Sequence, residues 1–243
     1  MATRAEFLEG IRKEVERGGA VFPASASVRP ARAMEAAEVV KRQMAERWPD
    51  AIDRFAHEFE RVAGVFHRVA DWGEAPEVIL GIAREKRARA LVAWHESALG
   101  FDVRIRLETG GLSVTVAATD DIDEGVRRRH REESANAQIG VTGADFALAE
   151  TGTLILLSGR GRPRATSLLP DTHVAVFDRS RLVESLAQVG VLLEALHVDP
   201  ARSMSGAMIN FITGPSRTAD IELTLTRGVH GPKDVHAIFV EAP

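Results

Sequence analysis

Apolar positions recur along this chain with two different periods, and the change from one to the other divides it. Phe7, Leu8, Ile11 and Val15 are spaced as on one face of a helix over residues 5–17, and Gly18-Gly19 stops that pattern. A loop with Pro23, Ser25, Ser27 and Pro30 follows. From Ala31 to Val62 the helical spacing returns, with Met34, Ala37, Val40, Met44 and Trp48, then Ile52, Phe55 and Phe59, on one side. Pro49-Asp50 predicts a break or kink between two helices there, because proline supplies no backbone donor. These segments predict a helical N-terminal arm over residues 1–62, with exposed apolar positions such as Trp48, Phe55 and Phe59 available for self-association or docking to partners.

After Gly64 the texture shortens and becomes β-rich. Strands are predicted at 65–70, 90–94, 112–117, 137–141, 153–157, 173–177 and 235–240. Helical patterns lie between several of them, at 75–87, 122–133, 179–196 and 219–226. Mostly apolar strands alternating with helices predict an α/β domain over 63–243, its open sheet covered by helices on both faces in three layers.

Composition narrows the chemistry. The 243 residues contain no Cys, so the chain itself offers no disulfide, thiolate metal site, iron–sulfur cluster or cysteine nucleophile. A net charge of -4 argues against general nucleic-acid binding. The local basic run Arg127 to Arg131 is flanked by Asp120, Asp121, Asp123 and Glu124 before it and Glu132 and Glu133 after it, so it reads as a solvated helix face. No stretch approaches the ~18 apolar residues of a membrane span, and the charged start is unlike a secretion signal, which suggests a cytoplasmic protein. Neither G-x-G-x-x-G, a Walker lysine loop nor H-E-x-x-H is present, so no metal and no cofactor is expected.

The densest turn chemistry runs from Gly140 to Thr153. A strand is expected to end at Val141, Thr142-Gly143 to turn, a short helical turn to cover Asp145 to Ala149, and Glu150-Thr151-Gly152-Thr153 to lead into the next strand. Gly143 and Gly152 let backbone amides approach a ligand, and Thr142, Thr151 and Thr153 bring hydroxyls beside them; equally, Thr142 could cap a helix and the glycines make turns. Glu150, set between apolar residues and a glycine turn, is a candidate base or nucleophile, or a partner for neighbouring amides. A second segment carries an apolar strand through Gly214-Pro215 toward an expected helix, with Ser216 and Thr218 as caps and Arg217 as a fixed positive charge for an anion. His230 stands between glycines in the loop Gly228 to Pro232, and Gly159 to Arg164 forms an arginine-rich turn able to close over an anion or simply to be solvated.

Together, Gly140-Val-Thr-Gly-Ala-Asp145, Ala149-Glu-Thr-Gly-Thr153, Arg164-Ala-Thr-Ser-Leu-Leu-Pro170 with His173, Thr213-Gly-Pro-Ser-Arg-Thr-Ala-Asp-Ile-Glu222 and Gly228-Val-His-Gly-Pro232 resemble the LUD-domain family, and within it the lactate-utilisation protein C (LutC/YkgG) group. The resemblance implies a fold like the NagB/RpiA/CoA-transferase group. It also implies a role in bacterial oxidation of L-lactate to pyruvate, beside iron–sulfur partners that are LutA-like and LutB-like. The zero cysteine count fits the subunit that carries no cluster. A small carboxylate is the ligand this suggests for Thr142, Gly143, Asp145, Thr151, Gly152, Thr153, Gly214, Ser216, Arg217, Thr218 and His230. The alternative is an acyl- or phosphosugar-type enzyme, since Glu150-Thr-Gly152 resembles the nucleophilic Glu-x-Gly turn of CoA transferases.

Overall fold

A computed structural model describes residues 30–120, 123–198, 208–219, 225–227 and 231–242. The helix expected over 5–17, the loop after it up to residue 29 and His230 lie outside the described residues, while Pro30, expected in that loop, opens a helix. The first described element is α1 (Pro30–Arg61), one helix of 32 residues that passes through Pro49. The expected break is absent because the packing of both halves outweighs one lost backbone bond: Met44 before the proline and Ile52, Phe55 and Phe59 after it are buried. The latter three are 0% exposed, which corrects the reading of Phe55 and Phe59 as exposed, and Trp48 is only partly buried, its ring 5.9 Å from that of Phe239.

The chain continues as β1 (Val65–Val69), α2 (Ala75–Glu85), β2 (Ala90–Ala93), α3 (Glu96–Leu99), α4 (Arg104–Thr109), β3 (Ser113–Val116), α5 (Glu124–Asn136), β4 (Ile139–Gly143), β5 (Phe146–Leu148), β6 (Thr153–Leu157), α6 (Ala165–Leu168) and β7 (Thr172–Asp178). A 3-10 turn (Arg179–Arg181), β8 (Leu182–Val183), α7 (Leu186–Val198), β9 (Ile209–Ile212), β10 (Arg217–Ala219), β11 (Leu225–Arg227) and β12 (Asp234–Val240) complete it. Six strands form a wholly parallel sheet in the order β1-β12-β7-β4-β2-β3. Their near-continuous burial, complete in β4 and for six of the seven residues of β12, is what a sheet covered on both faces requires.

Register assigns the two faces. Side chains paired across parallel strands point the same way, so Phe66, Phe239, Phe177, His173 and Thr142 share one face, over which α1, α5 and α6 pack. A Cβ on Gly140 would stand 1.8 Å from the carbonyl oxygen of Thr166, so α6 is laid directly on β4 at a position only glycine fits. His67, His236 and Asp234 share the opposite face with α2, and Lys86, just past the end of that helix, pairs with Asp234 at 2.8 Å. The expected three-layer α/β architecture is therefore present.

A second, four-stranded sheet, β8-β5-β6-β9, grows from the carboxyl ends of β4 and β7. It replaces the helical turn expected over Asp145 to Ala149 with β5, because Phe146 to Leu148 find ladder partners in β6 on one side and Leu182-Val183 on the other. The same pairing shortens the helix expected over 179–196. Asp178 caps a 3-10 turn by accepting from the Ser180 amide, β8 follows, and α7 starts only at Leu186. Of the helix expected over 219–226, residues 220–224 lie outside the described residues, while Ala219 and Leu225-Thr226 lie in β10 and β11, an antiparallel pair with Arg217 opposite Arg227. Among the described residues no helix is long and apolar enough to cross a membrane.

Candidate functional site

Three of the motif segments converge beside the carboxyl end of α1. The β5–β6 turn places the Thr151 hydroxyl 2.7 Å from that of Thr153, and Thr153 in turn lies 2.8 Å from the Thr213 hydroxyl, just past β9. Thr153 is 3% exposed, whereas Thr151 and Thr213 stand at the surface, so the chain of hydroxyls runs from solvent through a buried link and out again. Ser216, three residues past Thr213, donates its amide to the Pro232 carbonyl at 2.9 Å, which brings the 231–232 loop to the same place.

Two glycines make this convergence possible. Gly152 has φ +60, and a Cβ there would stand 2.2 Å from the Phe59 amide nitrogen; Gly214 has φ +78, and its Cβ would stand 2.4 Å from the Val62 carbonyl oxygen. Both turns are pressed against the last turn of α1 and the residue that follows it, so these glycines serve close packing of backbone on backbone. Hydroxyls are ambidextrous in hydrogen bonding, and a row of three can reorient to donate to a carboxylate or to accept from an alcohol.

The remaining predicted residues lie elsewhere. Glu150 is exposed, and its carboxylate accepts from the Leu186 amide at 3.0 Å, satisfying a free donor at the start of α7. Thr142 is wholly buried within β4, which extends through Gly143 beyond the expected end at Val141, and its hydroxyl pairs with His173 Nε2 at 2.8 Å. Asp145 accepts from the Leu157 amide and from Arg162, each at 2.7 Å. The backbones of Arg217 and Thr218 lie in β10 and not in a helix.

The arginine-rich turn is likewise packed rather than loose. Gly161 (φ +66) accepts from the His95 amide at 2.9 Å, the Trp94 indole donates to the Pro163 carbonyl, and the Arg162 guanidinium lies 5.8 Å from the centre of a Trp94 ring. These contacts seat the turn on the ends of β2 and β4, where the strand order reverses and open α/β sheets usually bind ligands. Beside it, His95, Asp102 and Arg104 line a crevice of about 310 Å³. The sequence carries no signal for this crevice, because its residues share no motif.

Three histidines of the central sheet complete the titratable inventory. His67 Nε2 lies 3.0 Å from His236 Nδ1 with the rings stacked, while His236 Nε2 and His173 Nδ1 have no hydrogen-bond partner among the described residues. Burial, reinforced by the His236 charge, holds His173 down at about 3. Burial, then the neighbouring His67 and Lys86 charges, holds His236 at about 4. Partial burial also lowers His67, so all three are neutral near pH 7.

A family model for the LUD domain matches residues 52–240. The chain belongs to the LUD-domain family. It is 38% identical over 167 residues to "Lactate utilization protein C" of Halalkalibacterium halodurans, a match spanning 68% of each chain. The protein of the same name from Anoxybacillus flavithermus is 41% identical over 129 residues, 52% of this chain and 56% of the relative. That from Bacillus subtilis is 38% identical over 120 residues, so here the match spans about half of each chain (49% and 48%). Among solved structures, a crystal structure of a DUF162 family protein from Deinococcus radiodurans aligns with TM-score 0.52 and 21% identity over 79% of this chain and 98% of that one, a likeness of fold alone.

Within this LUD domain, the match begins inside α1, at Ile52, and so includes the turn of α1 on which Gly152 and Gly214 rest. The threonine row, Glu150, and the His173–Thr142 pair all fall within it. Thr213 is legible in the sequence only as the first residue of the Thr-Gly-Pro run; its partnership with Thr153, 60 residues earlier, requires the antiparallel pairing of β6 with β9.

Proposed function

We propose that this LUD-domain protein is a subunit of a bacterial lactate-utilisation system, that it binds a small carboxylate such as L-lactate at the Thr151–Thr153–Thr213 row, and that it works with iron–sulfur partner proteins. The relatives' shared name supports the pathway. The observation that carries the ligand reading is the row of hydroxyls joining two glycine turns, with Thr151 and Thr213 at the surface. A 2-hydroxy acid offers two carboxylate oxygens to accept from hydroxyl or amide donors and one hydroxyl that both donates and accepts, and neutral threonines serve both without fixing a charge. The capping bond from Leu186 to Glu150 gives that carboxylate a structural task, so the transferase alternative gains no support from its surroundings. With no cysteine in this sequence, the cysteine-held iron–sulfur clusters of the system are carried by the partners.

Deleting the gene in a host without another lactate route should abolish growth on L-lactate, with growth on pyruvate retained. Restoring the wild-type chain should restore growth, and restoring Thr153→Val should not. Affinity purification of the tagged chain from lactate-grown cells should bring down iron–sulfur proteins; undiminished lactate growth after deletion contradicts the proposal.

A further inference from the structure

A cavity of about 570 Å³ lies between the amino-terminal half of α1, the 3-10 turn and α7, at the carboxyl ends of β4 and β7. It is far from the threonine row, which rests on residues 58–62 at the end of α1; Met44, on the cavity wall, is some fifteen residues earlier, or roughly 22 Å along the helix at 1.5 Å per residue. Its wall on α1 is one helical stripe, Met34, Ala37, Lys41, Met44 and Trp48, repeating every three or four residues. Phe146 and, from α7, Leu192 and Ala195 also line it. The volume falls within the roughly 300–1,000 Å³ of small-molecule sites, and such sites pair an apolar wall with a few convergent polar groups.

The charges around it are unequally paired. Glu38 is held by Lys41 at 2.6 Å, and Asp145 by Arg162 at 2.7 Å. Asp178 is turned onto Ser180, whose amide and hydroxyl both donate to it at 2.8 and 2.5 Å. Arg47, on α1, is engaged with Glu184 at 2.8 Å. Arg179 and Arg181 remain, exposed at the cavity's rim, and among the described residues neither has a carboxylate partner. A cavity with apolar residues from α1, β5 and α7 on its wall, its Glu38 and Asp145 already paired with cations, and two guanidinium groups at its mouth without a carboxylate among the described residues is complementary to a ligand with an apolar body and one anionic end.

We propose that this cavity binds an amphipathic anion, an acyl chain ending in a carboxylate, with the chain along the α1 stripe and the carboxylate between Arg179 and Arg181. The test is calorimetric titration of the full chain with dodecanoate and, separately, with dodecanol. One saturable dodecanoate site per chain is expected. The double variant Arg179→Ala/Arg181→Ala should weaken dodecanoate by about tenfold or more, the scale of one charge-assisted hydrogen bond, and leave dodecanol within about twofold. Ala45→Trp, at an exposed lining position on α1, should weaken both ligands by narrowing the chamber. All three substitutions fall on exposed residues, so melts matching the wild type are expected to accompany these losses. Absence of saturable dodecanoate binding, or equal affinity in the wild type and the arginine double variant, or an unchanged affinity in Ala45→Trp, overturns the proposal.

Discussion

The hydroxyl of Thr153 lies 2.8 Å from that of Thr213, and this contact fastens the β5–β6 turn to the segment following β9. Thr153 also meets Thr151, so one buried side chain holds both exposed ends of the row. Thr153→Val keeps the shape but removes both bonds. It should cost about 1–2 kcal/mol in urea unfolding, while Thr153→Ser should recover most of that loss.

Two glycines should respond to alanine with opposite signs. Gly152→Ala forces a side chain onto φ +60 and drives its Cβ to 2.2 Å from the Phe59 amide, so the turn must move; a loss of about 2–4 kcal/mol is expected from strain and overpacking. Gly81, in the middle of α2, has open space where an alanine methyl would sit, with no atom within 4 Å, and Gly81→Ala should gain about 0.5–1 kcal/mol from helix propensity. Paired thermal melts read both.

Glu150 separates a capping role from a catalytic one. Glu150→Gln preserves an oxygen that can accept from the Leu186 amide, so stability should stay near wild type, whereas Glu150→Ala should lower it by about 1 kcal/mol. Lactate-dependent growth supported by Glu150→Gln at the wild-type rate is the companion outcome; loss of growth with stability intact assigns the carboxylate a chemical task instead.

Acid should destabilise the fold through its histidines. In the unfolded chain His173 and His236 take up protons near 6.5, but in the folded protein they do so only near 3 and 4. Between those limits the unfolded state binds more protons, so stability is fully present above about pH 6.5 and falls as pH drops toward 4. His67, also lowered by burial, adds in the same direction. Each histidine contributes up to about 1.4 kcal/mol per pH unit, and His173→Gln should flatten the profile of unfolding free energy between pH 6.5 and 4.

What can be read from the sequence follows the strength of its periodicities. Strands such as Thr153–Leu157 and Thr172–Asp178 are legible because long apolar runs between turns have few alternatives. The second sheet is not, since β5 and β8 are three and two residues long and are specified by their ladder partners rather than by any local period. Pro49 misleads in the other direction: a local rule against helix gives way to burial on either side of it. At the candidate site, the Thr151, Gly152, Thr153 and Gly214 motifs are visible as turn chemistry. Thr142 is not separable from them, because its burial against His173 depends on β4 and β7 being neighbours.

The most direct measurement of the central claim is calorimetric titration of the purified chain with L-lactate, in parallel with Thr153→Val. Saturable binding by the wild type that is lost in the variant, with the variant still folded by circular dichroism, is the expected result. No saturable heat with the wild type, or equal affinity in both proteins, would contradict a small-carboxylate site at the threonine row.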